Sequence, residues 1–502
     1  MISNFSNISK CKLSVLSGII IGLSYPPSPF GFLAWFGLIP LIHVLFSSSI
    51  GDSIKWSFVT GLIVNVITVY WFGLNSGAGV VPALISMVAA ILYLSIFWIL
   101  FGFLSSWYNK ITGHGLSLVP LIWVFTEFLR GFGPLSFPWI NLALTQTFCL
   151  PLVQIADVTG SMGISFWIVL LNVIIYTAIR SKNVEIKILY MGGLLVLVIY
   201  LLGYFRISSI ENREINNVIK TAIVQPNIDP NLKWEQNFRH IIFNTMDSLH
   251  NEAIKLEPDL ILWPEAALPT YLRINYSNRK SILQKVKKSN IPLLTGTPDR
   301  IKGKDNKIDY YNASMFLKPD GSTKMYYKIH LVPFAESIPF SNYFSFLKKL
   351  NFGQANFTAG SEYTIFNLDG ISFANLICYE SSIPKIARKF INLGANFITI
   401  ETNDSWCGHS SGVYQHFEIA KLRAVENRVP IARSANTGIS GLILPTGKVN
   451  NRIPFNEQKV TLSSIPIKNV QSFYTKYGDW FAVICTLISL ITLFFGWLQK
   501  RS

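Results

Sequence analysis

One of the five cysteines, Cys378, stands where a nucleophile would, directly after the apolar run Ala374-Asn-Leu-Ile377 and before Tyr379-Glu380. Two other reactive groups lie beside apolar runs in the same way. Glu265 closes Trp263-Pro-Glu after Leu260-Ile-Leu262, and Lys328 leads through Ile-His-Leu-Val-Pro-Phe-Ala to Glu336 around a proline turn. A free thiol with a pKa of about 8.5 is mostly protonated at neutral pH, so a nucleophilic cysteine needs a base or a nearby positive charge. Glu265 can be that base and Lys328 that charge. As sulfur attacks an ester carbonyl, negative charge grows on oxygen, where Lys328 and the Tyr379 backbone amide can stabilise it, such donors typically being worth about 3 kcal/mol each. Taken singly, the three side chains read as an inert buried thiol, a helix N-cap and a solvated ammonium. It is their combination that points to chemistry.

The elements that must carry these groups form a second pattern. From Asn217 onward, short β-rich runs (220–224, 260–263, 291–294, 371–377, 396–400 and 439–444) alternate with polar helical stretches such as 235–256 and 410–428, which predicts a layered α/β fold. Reactive residues at the ends of such runs, including Asn403-Asp404 after Phe397-Ile-Thr-Ile400, sit where α/β sheets place their sites. A helix is expected from Ser382, with amides that favour an anion at Cys378.

The rest of the chain is of a different kind. Half of all residues are apolar and only 14% are charged, against about 25% in soluble domains. Eight windows are apolar enough to cross a bilayer: 12–25, 31–48, 55–74, 81–106, 115–129, 161–179, 188–206 and 478–498. The first is flanked by Lys10 and Lys12, has no convincing cleavage site and leads straight into another span, so it reads as an anchor. Lys and Arg concentrate in alternate loops (Lys10, Lys12, Lys55, Lys110, Arg180, Lys182, Lys187, Lys500, Arg501), and only Arg130 falls in the short loops of the other set. Because such residues are retained in the cytoplasm, the N-terminus is inside and residues 207–477 lie outside, which in a bacterium is the periplasm. The expected domains are 1–206 with seven spans, a catalytic domain over 218–467, and an eighth span at 478–498. Glu127 and Arg130, three apart at a helix end, either pair with each other or mark a functional site at membrane depth.

The net charge of +16 is scattered rather than gathered into a basic, aromatic-interleaved face, which suits anionic headgroups and excludes a nucleic-acid partner. The cysteines have no CxxC or Cys/His spacing, and His330, His409 and His416 fit no zinc pattern, so neither metal nor cofactor is expected. Cys378 and Cys407 are expected to stay thiols.

In its ordered residues the chain resembles the nitrilase (carbon-nitrogen hydrolase) superfamily, whose Glu-Lys-Cys triad matches Glu265, Lys328 and Cys378 and whose second glutamate matches Glu336. That resemblance implies an αββα sandwich. More narrowly the chain is similar to the apolipoprotein N-acyltransferase family, through Phe137-Pro-Trp139, Gln225-Pro-Asn227, Lys233-Trp234, Lys328-Ile-His-Leu-Val-Pro-Phe334, Ile377-Cys-Tyr-Glu380, Asn403-Asp404 with Trp406, Gly408 and His409, and Gln415-His416-Phe417. It departs from that family at Cys407, usually aromatic, and at Asp229, commonly Gln. The family resemblance implies an inner-membrane enzyme that takes an acyl chain from a phospholipid, commonly phosphatidylethanolamine, as a Cys378 thioester. It then passes the chain to the α-amine of a diacylglyceryl-cysteine apolipoprotein. Glu336 would assist Glu265 or orient Lys328. Trp234, Tyr379 and Glu380, with Trp139, match positions that shape or line the pocket, although packing and backbone satisfaction explain a Trp after a turn or a Glu after a nucleophile equally well.

Residues 337–358 hold Phe340, Tyr343, Phe344, Phe346, Phe352 and Phe357 with Lys348 and Lys349. This arm either dips into the outer leaflet and gates acyl-chain entry or packs as a core loop. Two rival readings stand beside acyl transfer: a tethered amidase with water as acceptor, and a scaffold or transporter with a degenerate catalytic domain. The spans favour a monomer.

Overall fold

The computed structural model describes residues 8–75, 77, 79–180, 184–233, 235–303, 306–341, 343 and 356–499. It divides into two compact units, one comprising Met1–Gly73, Leu84–Glu211 and Ser472–Ser502, the other Leu74–Ala83 and Asn212–Gln471.

The first unit is helical. Among the described residues, five helices are long and apolar enough to cross a membrane: Ile50–Leu74, Val80–Thr112, Ser161–Arg180, Ile186–Glu211 and Trp480–Gln499. The windows at 12–25, 31–48 and 115–129 fold as shorter helices, Lys10–Leu23, Ile39–Ser47 and Gly115–Arg130, of 14, 9 and 16 residues. None reaches the roughly 20 residues that a 30 Å hydrocarbon core needs. The 31–48 window breaks because Gly31–Trp35 winds as a 3-10 turn and Pro40 sits in the first turn of a new helix, where its missing N–H costs nothing. Polar side chains in this unit are paired inward, as Asn172 donates to the Ala34 carbonyl at 2.8 Å and accepts from the Leu38 amide at 2.9 Å. Glu127 and Arg130 stand 3.9 Å apart. Each also grips the turn beyond: Glu127 accepts the Leu142 amide at 2.7 Å and Arg130 donates to the Asn141 side chain at 2.8 Å.

The second unit is built on twelve strands: β1 Asn217–Gln225, β2 Leu260–Leu262, β3 Leu293–Lys302, β4 Ile308–Leu317, β5 Thr323–Tyr327, β6 Phe366–Leu368, β7 Ile371–Ile377, β8 Phe397–Thr402, β9 Ile431–Ala435, β10 Ser440–Ile443, β11 Val449–Ile453 and β12 Lys459–Ile467. They form two six-stranded sheets, β12-β1-β2-β3-β4-β5 and β11-β10-β9-β8-β7-β6. Each has a parallel centre, β1-β2-β3 in one and β7-β8-β9 in the other, with antiparallel strands outside it. On the outer face of the first sheet, helices Arg239–Ile254 and Tyr276–Ser289 bury Ile242, Met246, Leu249, Ile282 and Val286 against Ala222, Val224, Ile261 and Leu293. Against the second sheet lie Pro384–Asn392 and Ser411–Asn427. The sheets meet face to face, joined by Ser434 donating to the Val224 carbonyl at 2.7 Å and Asn375 donating to Ser314 at 2.7 Å. The order of layers is therefore helix, sheet, sheet, helix.

Candidate active site

Chain segments leaving β2, β5, β7 and β8 converge on one place. Glu265 follows β2 by three residues, and Lys328, Cys378 and Asn403 each directly follow their strand. Glu265 is only 8% exposed. Its two oxygens are separately held, Oε1 by the Asn312 side-chain amide at 2.7 Å and Oε2 by the Asn403 backbone N–H at 2.8 Å. The same Asn312 amide donates to Glu336 Oε1 at 2.9 Å, so a single residue in β4 spaces the two carboxylates. Lys328, 1% exposed, lies 2.9 and 2.8 Å from the two oxygens of Glu336, whose Oε2 also accepts the Val332 amide at 2.8 Å. Glu336 is thus paired with Lys328, and Asn312 spaces it from Glu265.

Cys378 is partly exposed and has φ of +52°. A left-handed cysteine is strained by about 1–3 kcal/mol and persists only where its surroundings fix it. Here it turns the chain sharply from β7 into a single 3-10 turn, Cys378–Ser382. The helix expected from Ser382 begins instead at Pro384. The residue before a proline is pushed out of the helical region, and Ile383 is extended at φ −97°, ψ 100°.

The charges are coupled. Burial would lower the Lys328 ammonium, but Glu336, Cys378 and Glu265 together carry it above the ordinary lysine value. Burial raises the Glu265 carboxyl, with Lys328 opposing. Burial likewise raises the Cys378 thiol, helped by Glu265 and opposed by Lys328. Burial thus favours the protonated form of both the Cys378 thiol and the Glu265 carboxyl, and Lys328 opposes it at both.

Glu380 is fully buried and collects donors from two chain segments. Oε1 accepts the Tyr326 hydroxyl at 2.8 Å and the Ile329 and His330 amides at 2.7 and 3.2 Å, while Oε2 accepts Tyr326 at 2.9 Å and the Ile377 amide at 2.9 Å. It ties the strand end bearing Lys328 to the one bearing Cys378. The Tyr379 ring is buried and stacks on His330 at 5.8 Å. Trp139 belongs to the helical unit, 4% exposed and packed with Trp71 and Phe137. Trp234 lies outside the described residues, as do Phe344, Phe346, Phe352, Lys348 and Lys349 of the 337–358 arm. Of that arm, Phe340 and Tyr343 are exposed, and the Phe357 amide donates to the Glu336 carbonyl at 2.7 Å.

Several contributors escaped the sequence reading. Asn312 is one. Glu401 is another, fully buried between the sheets, where Ser314 donates to its Oε2 at 2.7 Å. Burial holds it well above the ordinary carboxyl value. Arg433 donates to Asp404 Oδ2 at 2.6 Å, in a space that a Cβ on Gly438 would fill, 2.1 Å from that same oxygen. The ammonium of Lys233 is buried with no hydrogen-bond partner among the described residues, and burial lowers it to about 8 against the pull of Glu265. Among the described residues no cluster of three or more His, Cys, Asp or Glu is arranged to hold a metal ion.

Residues 220–475 match the carbon-nitrogen hydrolase family, which fits two sheets between helices and a cysteine at a strand end. The chain is a member of that class. Residues 17–174 match the apolipoprotein N-acyltransferase N-terminal domain. An apolipoprotein N-acyltransferase from Geobacter metallireducens is 33% identical over 493 residues, covering 94% of this chain and 92% of the relative, and one from Chlorobaculum tepidum is 31% identical over 525 residues, covering 97% of each. The chain belongs to the apolipoprotein N-acyltransferase family, and it is an N-acyltransferase. Among solved structures, an amidase from Nesterenkonia sp. aligns with 16% identity and a TM-score of 0.38, covering 52% of this chain and 92% of that one.

Proposed function

We propose that Cys378 is the nucleophile of a two-step acyl transfer in lipoprotein maturation, with Glu265 as base and Lys328 as electrostatic partner. In the first step the sulfur bonds to the ester carbonyl carbon of a phospholipid as its proton passes to Glu265. Negative charge collects on the carbonyl oxygen beside Lys328 and the Tyr379 amide. The ester C–O bond then breaks, and the Glu265 proton goes to the departing lysophospholipid oxygen. In the second step the α-amine of a diacylglyceryl-cysteine apolipoprotein attacks the thioester and gives up a proton to Glu265. The C–N bond forms, the C–S bond breaks, and sulfur recovers a proton. One carboxylate serves both steps because each needs a proton taken and returned at the same place.

The observation that carries this reading is the placement of Cys378, Glu265 and Lys328 at the ends of strands of the two facing sheets, where burial favours the protonated thiol and raises the affinity of Glu265 for a proton. A preformed thiolate would need no base, whereas a neutral thiol does. Phosphatidylethanolamine is the proposed donor. Glu336, Tyr379 and Glu380 act as supporting residues, and Trp234 and Trp139 are carried as substrate-facing candidates. We read the enzyme as a monomer in the bacterial inner membrane, with seven crossings before the catalytic residues 218–467 and one after them at 478–498, so that catalysis takes place in the periplasm. The loop distribution of Lys and Arg supports that orientation. It requires the three shorter apolar helices to count as crossings.

The test is to incubate the purified protein with phospholipid labelled in its acyl chains. A hydroxylamine-sensitive label that is absent from Cys378→Ala is expected. Label retained in that variant would refute the nucleophile, and a labelled fatty acid released at the same rate with or without lipopeptide would make the protein a hydrolase.

A further inference from the structure

A second polar cluster is bonded to the Cys378 backbone carbonyl, and the acyl-transfer steps do not use it. Helix Ser411–Asn427 presents His416, whose Nδ1 is 2.7 Å from Asp404 Oδ1. Its Nε2 lies 2.8 Å from the Ser381 hydroxyl and 3.1 Å from the Cys378 carbonyl oxygen. Ser381 in turn donates to that carbonyl at 2.8 Å. The carbonyl accepts from the Ser381 hydroxyl, and with Nδ1–H given to Asp404 the ring donates to it from Nε2 as the imidazolium, which burial and Arg433, its Nη2 3.1 Å from Nδ1, oppose and Asp404 favours. Asp404 is itself fixed, accepting from Thr402 at 2.9 Å and from Arg433 at 2.6 Å, while Arg433 Nε donates to the Ile439 carbonyl at 3.0 Å. Every side chain of the cluster is buried.

The gripped carbonyl shares a planar trans peptide with the amide of Tyr379, so its C=O and that N–H point in opposite directions. Holding the oxygen from behind therefore aims the hydrogen forward. Cys378, at φ +52°, has the conformation least able to keep this plane without help, because rotation of the peptide would relax it. We infer that His416, fixed by Asp404, is a positioning residue that aims the Tyr379 amide at the developing oxyanion by anchoring the far side of the same peptide unit. The inference rests on Cys378 being the nucleophile.

Oxyanion alignment matters when sulfur attacks a carbonyl but not when it displaces iodide from iodoacetamide, where no oxyanion forms. The full-length protein and the variants His416→Phe, His416→Gln and Ser381→Ala are compared in two reactions: single-turnover acylation by labelled phospholipid and alkylation of Cys378 by iodoacetamide. Removing one oxyanion donor outright costs about 100- to 1,000-fold, so misaiming it in His416→Phe is expected to slow acylation by roughly 30- to 100-fold, with donor KM and alkylation each within about threefold. His416→Gln, which again reaches the carbonyl with a polar group, is expected to recover most of that rate. Ser381→Ala, the smaller change and the safeguard if the phenylalanine variant does not fold, is expected to slow acylation several-fold and leave alkylation unchanged. Acylation and alkylation falling together in Ser381→Ala, or acylation unaffected in both Ser381→Ala and His416→Phe, would overturn the inference. If Cys378 were not the nucleophile, the unsubstituted protein would take label elsewhere, which is a separate failure.

Discussion

Two buried charge clusters flank Cys378, and they use similar materials to opposite ends. In front, Lys328 is shared by Glu336 and Glu265, and Asn312 holds the two carboxylates in place. Burial there leaves Glu265 with an enhanced affinity for protons. Behind, burial would also raise Asp404, but Arg433 and His416 outweigh it and hold its carboxyl well below the usual range. The difference lies in the cation. A guanidinium stays charged and bidentate-capable in a buried site, and it bonds Asp404 directly, whereas the Lys328 ammonium is spent mainly on Glu336. Glu265 is left with the weaker share. A carboxylate that keeps its charge well below the ordinary carboxyl range braces a backbone; one that is poised to take a proton can do chemistry.

Substitutions should separate the two clusters. The largest effect is expected in front: Cys378→Ala should reduce transfer by about 10⁴-fold or more, and Glu265→Gln by about 10²- to 10⁴-fold. In folding, Glu265→Gln is expected to cost about 1–3 kcal/mol, because its NH2 must face the Asn312 or the Asn403 donor. Chemical denaturation followed by tryptophan fluorescence reads this. Behind, Asp404→Asn strands a fully buried guanidinium and is expected to cost about 3–5 kcal/mol of stability. If Asp404→Asn were silent in denaturation while Glu265→Gln unfolded the protein, the division of labour would be reversed.

Glu380 also braces backbone, although burial raises its carboxyl as it raises that of Glu265. Its oxygens accept from Tyr326, Ile329, His330 and Ile377, so an amide in Glu380→Gln turns an NH2 group against those donors. A loss of about 1–3 kcal/mol is expected, with slower acylation because the Lys328 and Cys378 strand ends lose their tie. The smallest effect is a displacement along the pH axis. Glu265, raised in the folded state, loses its carboxylate at a higher pH than an ordinary glutamate. Asp404, depressed, contributes stability that is present above the ordinary carboxyl range and survives until the pH falls through its much lower folded value. On acidification the acylation rate should therefore drop while circular dichroism still reports a folded protein. Coincident loss of both would indicate that a single event, unfolding, explains the acid limb.

The reactive front cluster was largely legible in sequence, and the bracing behind it only partly. Glu265, Lys328 and Cys378 follow apolar runs, where a titratable residue is conspicuous. Asn312, Glu401 and Arg433 lie inside strands, where alternating polar and apolar residues ordinarily mean one wet face. In Phe397-Ile-Thr-Ile-Glu-Thr402 every residue is buried, because Thr399 and Glu401 face a second sheet rather than water; Ser314 of that sheet donates to Glu401 and accepts from Asn375, the strand neighbour that Thr399 bonds. A period of two specifies which residues share a face, not what that face meets. The helix bounds within the 31–48 window suffered from a related blindness. A hydropathy window sums over the 3-10 turn at Gly31–Trp35 and the helix start at Ile39 as if they were one rod.

The central claim is that Cys378 carries the acyl chain between two lipids, and a chase of the isolated intermediate tests it directly. Protein acylated with labelled phospholipid and freed of donor is mixed with a synthetic diacylglyceryl-cysteine peptide, and the label on the Cys378 peptide is followed by mass spectrometry. The expected result is loss of the acyl mass from Cys378 matched by its gain on the peptide α-amine in equal amount. An acyl mass that stays on Cys378 while the peptide is still acylated would mean that the thioester lies off the reaction path.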